Sequence, residues 1–320
     1  MDRRAFLAAA AAAPFALRSA AGWAAIRPQA LVTCDFEARL ALVDLSANLA
    51  AGWVLKHLPT APGPRSIERV GARAVVAHWD VGALTIVDRA SVEVRHELGG
   101  FDQPRYTAAH PDGRHAFVTE SGSSVVTAVD VLAGRRLGST AHLGEWARHV
   151  TIDAAGTTVW TALGSASDRI AIVDVSQPSR PRHVRTISPG FRVHDVAFRP
   201  DGRQVWVTGG DSGRLAIFDR GGRLVRSLRA DAAPQHVTFG LGVAYVTSGD
   251  SGTCRVQALD DGRVLRTTAI PIGSYNVQSG VDRLVVTPSL LHGTLTVLSP
   301  TGALRARIPV ASSCHDACFV

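Results

Sequence analysis

The sequence has 320 residues, of which 46% are hydrophobic, and a formal net charge of +7. This hydrophobic content is ordinary for a globular protein and is sufficient to bury a continuous core. The arginines that carry the charge are scattered rather than striped, and no nucleic-acid-binding module is recognisable, so a nucleic-acid partner is excluded.

The first 24 residues have the features of an export signal. Arg3 and Arg4 precede an alanine-rich stretch, and small residues at 21–24 offer a cleavage site. The start DRRAFL resembles a twin-arginine signal, with Asp2 where Ser or Thr is usual, and a Sec signal is the alternative. The apolar run is too short to predict a membrane span. We therefore expect an exported protein that is periplasmic, extracellular or at the cell surface.

A repeated unit is clearest at residues 111–132, PDGRHAFVTESGSSVVTAVDVL. Proline and glycine fix a tight turn, and β-branched and aromatic residues then predict two strands separated by a polar corner. An aspartate closes the third strand of most units, at a spacing of roughly 40 to 45 residues, as expected for four-stranded propeller blades. These aspartates are Asp44, Asp88, Asp130, Asp174, Asp219 and Asp260, with Ser299 in a seventh, degenerate copy.

The first unit lacks its innermost strand, and residues 314–320 form a strand with no unit after them. Residues 315–319, HDACF, match HDVAF at 194–198, which is the innermost strand of another unit. We therefore predict that the C-terminal strand completes the first blade and leaves no open sheet edge. The expected architecture is one seven-bladed β-propeller over residues 25–320, all-β, with four-stranded antiparallel blades and no tendency to oligomerise.

These repeats resemble the YVTN family of bacterial seven-bladed propellers, which includes the YncE-like proteins. The resemblance is closest at 111–135 and 198–219 and extends over 30–320, although the Tyr-Val-Thr-Asn signature is eroded to forms such as FVTE and WVTG. It implies the propeller fold but no single activity, because such propellers include binding proteins, adhesins and unrelated enzymes. The resemblance to a twin-arginine signal adds a hint of a bound metal or cofactor.

Aligning the innermost strands predicts two polar rings at one mouth of the central channel. The first ring comprises Arg65, Arg105, Arg148, His194, Gln235, Tyr275 and His315. The second comprises Ser66, Tyr106, His149, Asp195, His236, Asn276 and Asp316. Function concentrates at such strand ends because they can change without disturbing the core.

The second ring places His149, Asp195 and His236 on three consecutive blades. Two imidazoles and a carboxylate bind a divalent transition metal and leave positions for water or substrate, so we expect a metal there, with Asp316 as a further oxygen donor. A shift of one residue in the alignment would bring in His194 and His315 instead. The alternative is that these side chains only hydrogen-bond to channel water and to neighbouring blades.

In the first ring, Arg65, Arg105 and Arg148 are consecutive and suited to a carboxylate or phosphate, with His194 and His315 beside them. Pairing with acidic residues at the rim is the alternative. Glu120 and Asp211, at the ends of second strands, are candidate general bases. His110 and His115 flank a turn and are expected at the surface.

Four cysteines occur, and closure of the first blade would bring Cys34 and Cys314 together. An oxidising compartment permits a disulfide there, and a thiolate metal site with His315 is the alternative.

Two functional hypotheses follow. The first is a binding or scaffold protein that holds a small anionic ligand, or a protein or glycan partner on the propeller faces. The second is a metal-dependent lyase or hydrolase acting on a small anionic substrate at the channel mouth.

Overall fold

A computed structural model describes residues 28–46, 53–164, 166–230, 232–280 and 283–320. The predicted export signal lies outside these residues. Within them, 28 strands form seven four-stranded antiparallel sheets arranged as a ring, which confirms the seven-bladed β-propeller. Asp35–Glu37 and Gly210–Ser212 form short 3-10 turns at two strand ends. In the portion of the chain described, no helix is long and apolar enough to cross a membrane.

Each blade is given from its innermost to its outermost strand. Blade 1 consists of β28 (Ala317–Phe319), β1 (Gln29–Cys34), β2 (Arg39–Asp44) and β3 (Val54–Pro59). Blade 2 consists of β4 (Pro64–Val70), β5 (Arg73–His78), β6 (Ala83–Asp88) and β7 (Glu93–Leu98). Blade 3 consists of β8 (Pro104–Ala109), β9 (His115–Glu120), β10 (Val125–Asp130) and β11 (Arg135–Ser139).

The remaining blades follow the same order. Blade 4 consists of β12 (Ala147–Ile152), β13 (Thr158–Leu163), β14 (Ile170–Asp174) and β15 (Arg182–Ile187). Blade 5 consists of β16 (Asp195–Phe198), β17 (Gln204–Thr208), β18 (Arg214–Asp219) and β19 (Leu224–Arg229). Blade 6 consists of β20 (His236–Gly240), β21 (Val243–Ser248), β22 (Thr253–Ala258) and β23 (Val264–Ala269). Blade 7 consists of β24 (Gln278–Ser279), β25 (Val285–Pro288), β26 (Thr294–Leu298) and β27 (Leu304–Pro309).

Blade 1 is completed by the C-terminal strand, as the sequence predicted. β28 pairs antiparallel with β1, with Leu31 opposite Cys318 at the centre of the register. Asp316 and Thr33 continue the pairing, since the Thr33 hydroxyl accepts a 2.9 Å hydrogen bond from the Asp316 backbone N–H. The seam is therefore an ordinary four-stranded blade built from distant parts of the chain.

The repeated aspartate has a structural cause. Asp88 Oδ1 accepts hydrogen bonds from the backbone N–H groups of Ala90 and Ser91, at 3.1 and 3.0 Å, and so closes the turn to the outermost strand. In the degenerate seventh copy, Ser299 Oγ accepts from the Ala303 N–H at 3.1 Å. A short oxygen-bearing side chain therefore favours this turn, which explains why the sequence signal recurs in most blades. Blade 6 differs from the prediction, because β22 ends at Ala258 and Asp260 lies within the turn. There Asp261 accepts the Arg263 N–H at 2.9 Å.

Large apolar side chains fill the spaces between adjacent blades. Trp160 of blade 4 is fully buried, and its ring lies 5.9 Å from Phe198 and 6.0 Å from Phe218 of blade 5. Hydroxyl groups add polar links between blades, since Thr119 donates to the Arg148 carbonyl at 2.6 Å and Thr208 to the Gln235 carbonyl at 2.5 Å. These links fix the backbone where the innermost strands begin, which is where the candidate site lies.

Candidate functional site

Three arginines from consecutive blades form one side of the channel mouth. Arg65, Arg105 and Arg148 lie within register shifts at the start of their innermost strands, where the regular alternation of side chains is interrupted. The Nε atom of each arginine is buried and has no hydrogen-bond partner. Within the described ranges, none of the three forms an ion pair with a carboxylate.

Arg105 also lies beside two tryptophans. Its guanidinium carbon is 5.8 Å from the ring centroid of Trp79 and 5.8 Å from that of Trp146. Trp146 is 49% exposed, so the aromatic wall opens to solvent at the mouth. The indole nitrogen of Trp79 is buried without a partner. Two aromatic rings thus flank Arg105, and the indole N–H of Trp79 is a hydrogen-bond donor without a partner among the described residues.

The positive charges at this mouth disfavour one another. Burial and the neighbouring charge of Arg148 lower the pKa of Arg105 to about 10. Burial lowers the pKa of Arg148 as well, and the charge of Arg65 contributes in the same direction. Keeping Arg105 and Arg148 protonated in this buried position therefore costs free energy, and the attraction of a bound anion would offset that cost.

Three histidines converge beside the arginines. His149, His194 and His236 each offer one ring nitrogen, and the three nitrogens lie within 4.8 Å of one another. Both ring nitrogens of His149 are buried and have no hydrogen-bond partner. The Tyr106 ring stacks on His149, with centroids 4.0 Å apart and planes inclined by 31°, and so fixes its orientation. We call these residues the three-histidine cluster.

Two of the three histidines, His149 and His194, are held in their neutral form. Burial pulls the pKa of His149 well below its usual value, and the charges of His236 and Arg148 act in the same direction. Burial lowers the pKa of His194 in the same way. Neutral imidazole is the form that coordinates metals, and three histidine ligands leave a coordination position open. The cluster can therefore hold a divalent transition metal.

Asp195, a predicted ligand, lies next to this cluster and already has hydrogen-bond partners. Its two oxygens accept from the backbone N–H groups of Val196 and Val237, at 2.8 and 3.1 Å. Oδ2 is also 3.4 Å from Nδ1 of His236. A carboxylate in this position orients a histidine ligand and sets its tautomer. The structure thus brings together His149 and His236 as expected, with His194 as the third nitrogen donor.

Asp316 and His315 lie at the junction of blades 1 and 2. Asp316 accepts hydrogen bonds from the N–H groups of Ile67 and Ala317, at 3.0 and 2.9 Å, and burial raises its pKa well above the usual value. His315 donates through Nδ1 to the Arg65 carbonyl, and burial lowers its pKa. Both side chains connect neighbouring blades, and their assignment as ligand-binding or metal-binding residues remains a prediction.

The two candidate bases occupy different surroundings. Glu120 is buried and accepts hydrogen bonds from Thr127, from Arg136 at 2.9 Å and from the Asp102 N–H at 2.6 Å. Asp211 is exposed in the turn Gly210–Ser212. Glu120 is therefore fixed by its own blade, whereas Asp211 is accessible to solvent; a catalytic role for either one remains a prediction.

Cys34 and Cys314 lie side by side at the seam, as closure of blade 1 implied. Both are buried free thiols, and the Cys34 thiol donates to the Val32 carbonyl at 3.8 Å. The neighbouring Cys314 side chain lowers the pKa of Cys34. The disulfide between them remains a prediction, which counting the free thiols of the denatured protein would test.

A cavity of about 370 Å³ occupies the channel on the other side of the three-histidine cluster. His149 and His236 line it, together with Asp316 and Glu68. Burial raises the pKa of Glu68 to about 7. The channel therefore has a basic mouth and a polar interior containing carboxyl groups, and two of the clustered histidines border that interior.

No protein-family model matches the sequence, and no curated protein matches it significantly. Among solved structures, the chain is similar to Kuenenia stuttgartiensis hydrazine synthase, with 17% identity, a TM-score of 0.66, and coverage of 80% of this chain and 89% of that one. It is also similar to a functionally unknown protein from Desulfotomaculum acetoxidans, with 11% identity, a TM-score of 0.78, and coverage of 91% and 98%. At these identities the similarity shows the propeller fold alone.

Three aromatic residues at the site were not assigned a role from the sequence. Trp79 and Trp146 belong to connections around the mouth, and Tyr106 was noted only as a member of the second ring. Trp79 directly follows the end of β5, and that position was the available signal.

Proposed function

We propose that this protein binds a small multivalent anion at the mouth formed by Arg65, Arg105 and Arg148. The observation that carries the proposal is the set of three buried Nε donors without partners, on three guanidinium groups that lack ion pairs among the described residues. Arginine forms paired hydrogen bonds to planar carboxylates and to phosphates, so both ligand classes suit the cluster.

The energetic argument supports the same ligand. Placing an anion between the guanidinium groups would satisfy unused donors and offset the repulsion that lowers the pKa of Arg105 to about 10. The tryptophans beside Arg105 would limit access of water to the ligand. Affinity is therefore expected to fall with ionic strength less steeply than for an exposed arginine patch.

Thermal denaturation in the presence of inorganic phosphate and citrate tests this function, with chloride at matched ionic strength as reference. A ligand at 100 times its Kd should add about 2.7 kcal/mol to the free energy of unfolding. R148Q should lose this increment, while R229Q, on an exposed outer strand, should keep it. An equal increment in both variants would contradict the proposal.

A second candidate function is that of a metal-dependent lyase or hydrolase acting on a small anionic substrate at the channel mouth. The convergence of His149, His194 and His236 within 4.8 Å, next to the arginines, favours it. A metal held there would polarise a carbonyl group or lower the pKa of a bound water molecule. The arginines would hold the anionic part of the substrate, as in the binding function.

Elemental analysis of the untagged protein, prepared without chelator, tests the second candidate. We expect about one equivalent of zinc, copper, iron or manganese bound at the three-histidine cluster, lost in H149A/H236A and retained in H57A, which changes an exposed histidine. Small carboxylates and phosphates would then be screened for turnover. An undiminished metal content in H149A/H236A, with an unchanged circular dichroism spectrum, would exclude the cluster as a metal site.

We also infer that the chain is a divergent YVTN/YncE-like propeller exported by a twin-arginine signal at residues 1–24. The seven in-register repeats and the sequence DRRAFL support this inference. Replacing Arg3 and Arg4 by lysine should leave the precursor in the cytoplasm, as followed by cell fractionation. Unchanged export would favour the Sec route.

A further inference from the structure

A second group of metal-ligating side chains lies on the face of the propeller opposite the arginines. It consists of His110, Asp112 and His115, around the turn between β8 and β9. His110 Nδ1 is 3.0 Å from Asp112 Oδ1, and His115 Nδ1 is 2.7 Å from Asp112 Oδ2. Because β8 begins at the mouth and ends at this turn, the length of a strand separates the group from the three-histidine cluster.

The orientation of His110 is fixed from the neighbouring blade. Its Nε2 donates to the Gly156 carbonyl at 3.1 Å, and its Nδ1 accepts from the Asp112 N–H at 3.2 Å. Gly156 has a φ of +71°, and a Cβ there would lie 2.4 Å from His110 Nε2. Glycine thus permits the close approach. A backbone carbonyl on one ring nitrogen is also found around metal-bound histidines, and a metal on Nδ1 would replace the hydrogen bond from the Asp112 N–H.

The same turn occurs in blade 5 without histidine. There Arg199, Asp201 and Gln204 take the three positions, around the same Pro-Asp-Gly-Arg sequence. Arg199 Nε forms a 3.0 Å ion pair with Asp201, and Nη1 of the same arginine is 3.5 Å from Gln204 Oε1. The turn therefore folds with arginine and glutamine, and the two histidines of blade 3 are not required to form it.

We propose that His110, Asp112 and His115 form a binding site for a divalent transition metal such as Zn²⁺, Ni²⁺ or Cu²⁺. Their side chains are 15, 36 and 19% exposed, so an ion can enter from solvent and keep water ligands. Two imidazoles with one carboxylate suit these metals better than Mg²⁺ or Ca²⁺. Coordination through His115 Nδ1 would replace its hydrogen bond to Asp112, and the neutral ring would then carry its proton on Nε2.

Isothermal titration of the untagged protein with Zn²⁺ tests the site. The variant H110R/H115Q gives blade 3 the residues of blade 5, so the turn is expected to fold. It should bind one equivalent fewer than the wild type, or bind that equivalent at least about 100-fold more weakly. H183Q, which removes a histidine of β15, is the matched control and should titrate as the wild type does.

The same titration in the H149A/H236A background separates this site from the three-histidine cluster. If the H149A/H236A protein still binds one equivalent of Zn²⁺, and the quadruple variant with H110R/H115Q does not, the surface site is supported. This holds whether or not the three-histidine cluster binds a metal. If H110R/H115Q binds as many equivalents as its parent in both backgrounds, with unchanged affinity, the surface site does not exist.

Discussion

The two halves of the channel mouth satisfy their polar groups in opposite ways. On blades 2 to 4, Arg65, Arg105 and Arg148 have buried donors without partners. On blades 6 and 7, Asp250 accepts from Gln235 at 2.9 Å and from the Tyr275 hydroxyl at 3.0 Å. Buried polar groups are normally paired within the protein or by a ligand. The anion proposed above would pair the donors of the arginine half, whereas Asp250, Gln235 and Tyr275 on the opposite half already pair with one another.

The largest expected effect concerns Asp35, the acid beside the arginine half. Burial raises its pKa to about 7, and the charge of Arg65 opposes the shift without forming an ion pair. Since the folded-state pKa lies above the unfolded value, Asp35 contributes stability below about pH 4, and this is lost as the pH rises toward 7. D35N should therefore become more stable than the wild type with rising pH, by roughly 2–3 kcal/mol at pH 8.

Urea denaturation of both proteins between pH 4 and 8 measures this difference, and titration of other groups cancels in the comparison. A difference that does not change with pH would show that Asp35 is ionised throughout, and that the arginine half contains a neutralising carboxylate.

The next effect concerns the boundary between the halves, where His194 and Asp195 are adjacent. D195N should destabilise the protein by about 1–3 kcal/mol, because one oxygen that accepts a backbone N–H becomes an amide. H194A should cost less stability but should weaken metal binding more than D195N does, if His194 is the third ligand. Zn²⁺ titration and thermal denaturation of H194A and D195N measure these two effects. Weaker Zn²⁺ binding by D195N than by H194A would show that Asp195 is itself a metal ligand.

A smaller effect is expected for Arg105 in the absence of ligand. R105Q removes a charge that its neighbours disfavour, so the variant should be about 1 kcal/mol more stable than the wild type at low salt, after allowance for solvent screening. The gain should shrink in 1 M NaCl, where charge repulsion is screened. Urea denaturation at both salt concentrations gives the result. Destabilisation by R105Q at low salt would mean that packing against Trp79 and Trp146 outweighs the charge.

The smallest effect is expected on the opposite half. Y275F removes the hydroxyl that donates to Asp250 and should cost about 0.5–1 kcal/mol, because this hydrogen bond is partly exposed. Stabilisation by phosphate or citrate should be unchanged. If Y275F weakened that stabilisation as much as R148Q, the ligand would span both halves and the contrast between them would be wrong.

The sequence was sufficient to predict the blades because their main signal has a local cause. The aspartate at the end of the third strand accepts backbone hydrogen bonds from the following turn in blades 1 to 5, so it repeats at the spacing of the blades. Closure by β28 was predictable for a related reason, since HDACF and HDVAF begin equivalent strands. Such features depend on residues close in sequence and on a repeat that can be counted.

The candidate site was predicted in part, because the strand starts could be aligned but the side-chain directions could not. Register shifts interrupt the alternation at the start of β4, β8 and β12, yet all seven residues of the second ring line the channel cavity. His194, assigned to the first ring, joins His149 and His236 although its own strand, β16, has no register shift. Trp79 and Trp146 reach Arg105 from connections whose course depends on tertiary packing, and no periodic pattern in the sequence indicates their direction.

The pairing of β28 with β1 has a consequence for the order of folding. Thr33 and Asp316 are hydrogen-bonded although 283 residues separate them in sequence. Contacts of such long range form slowly, because a large loop must close before they contribute any stability. In the described part of the chain, β28 pairs with no strand other than β1, so without it the inner edge of β1 would be unpaired. Because an unpaired strand edge is a template for aggregation, docking of this three-residue strand protects blade 1 from association with other chains.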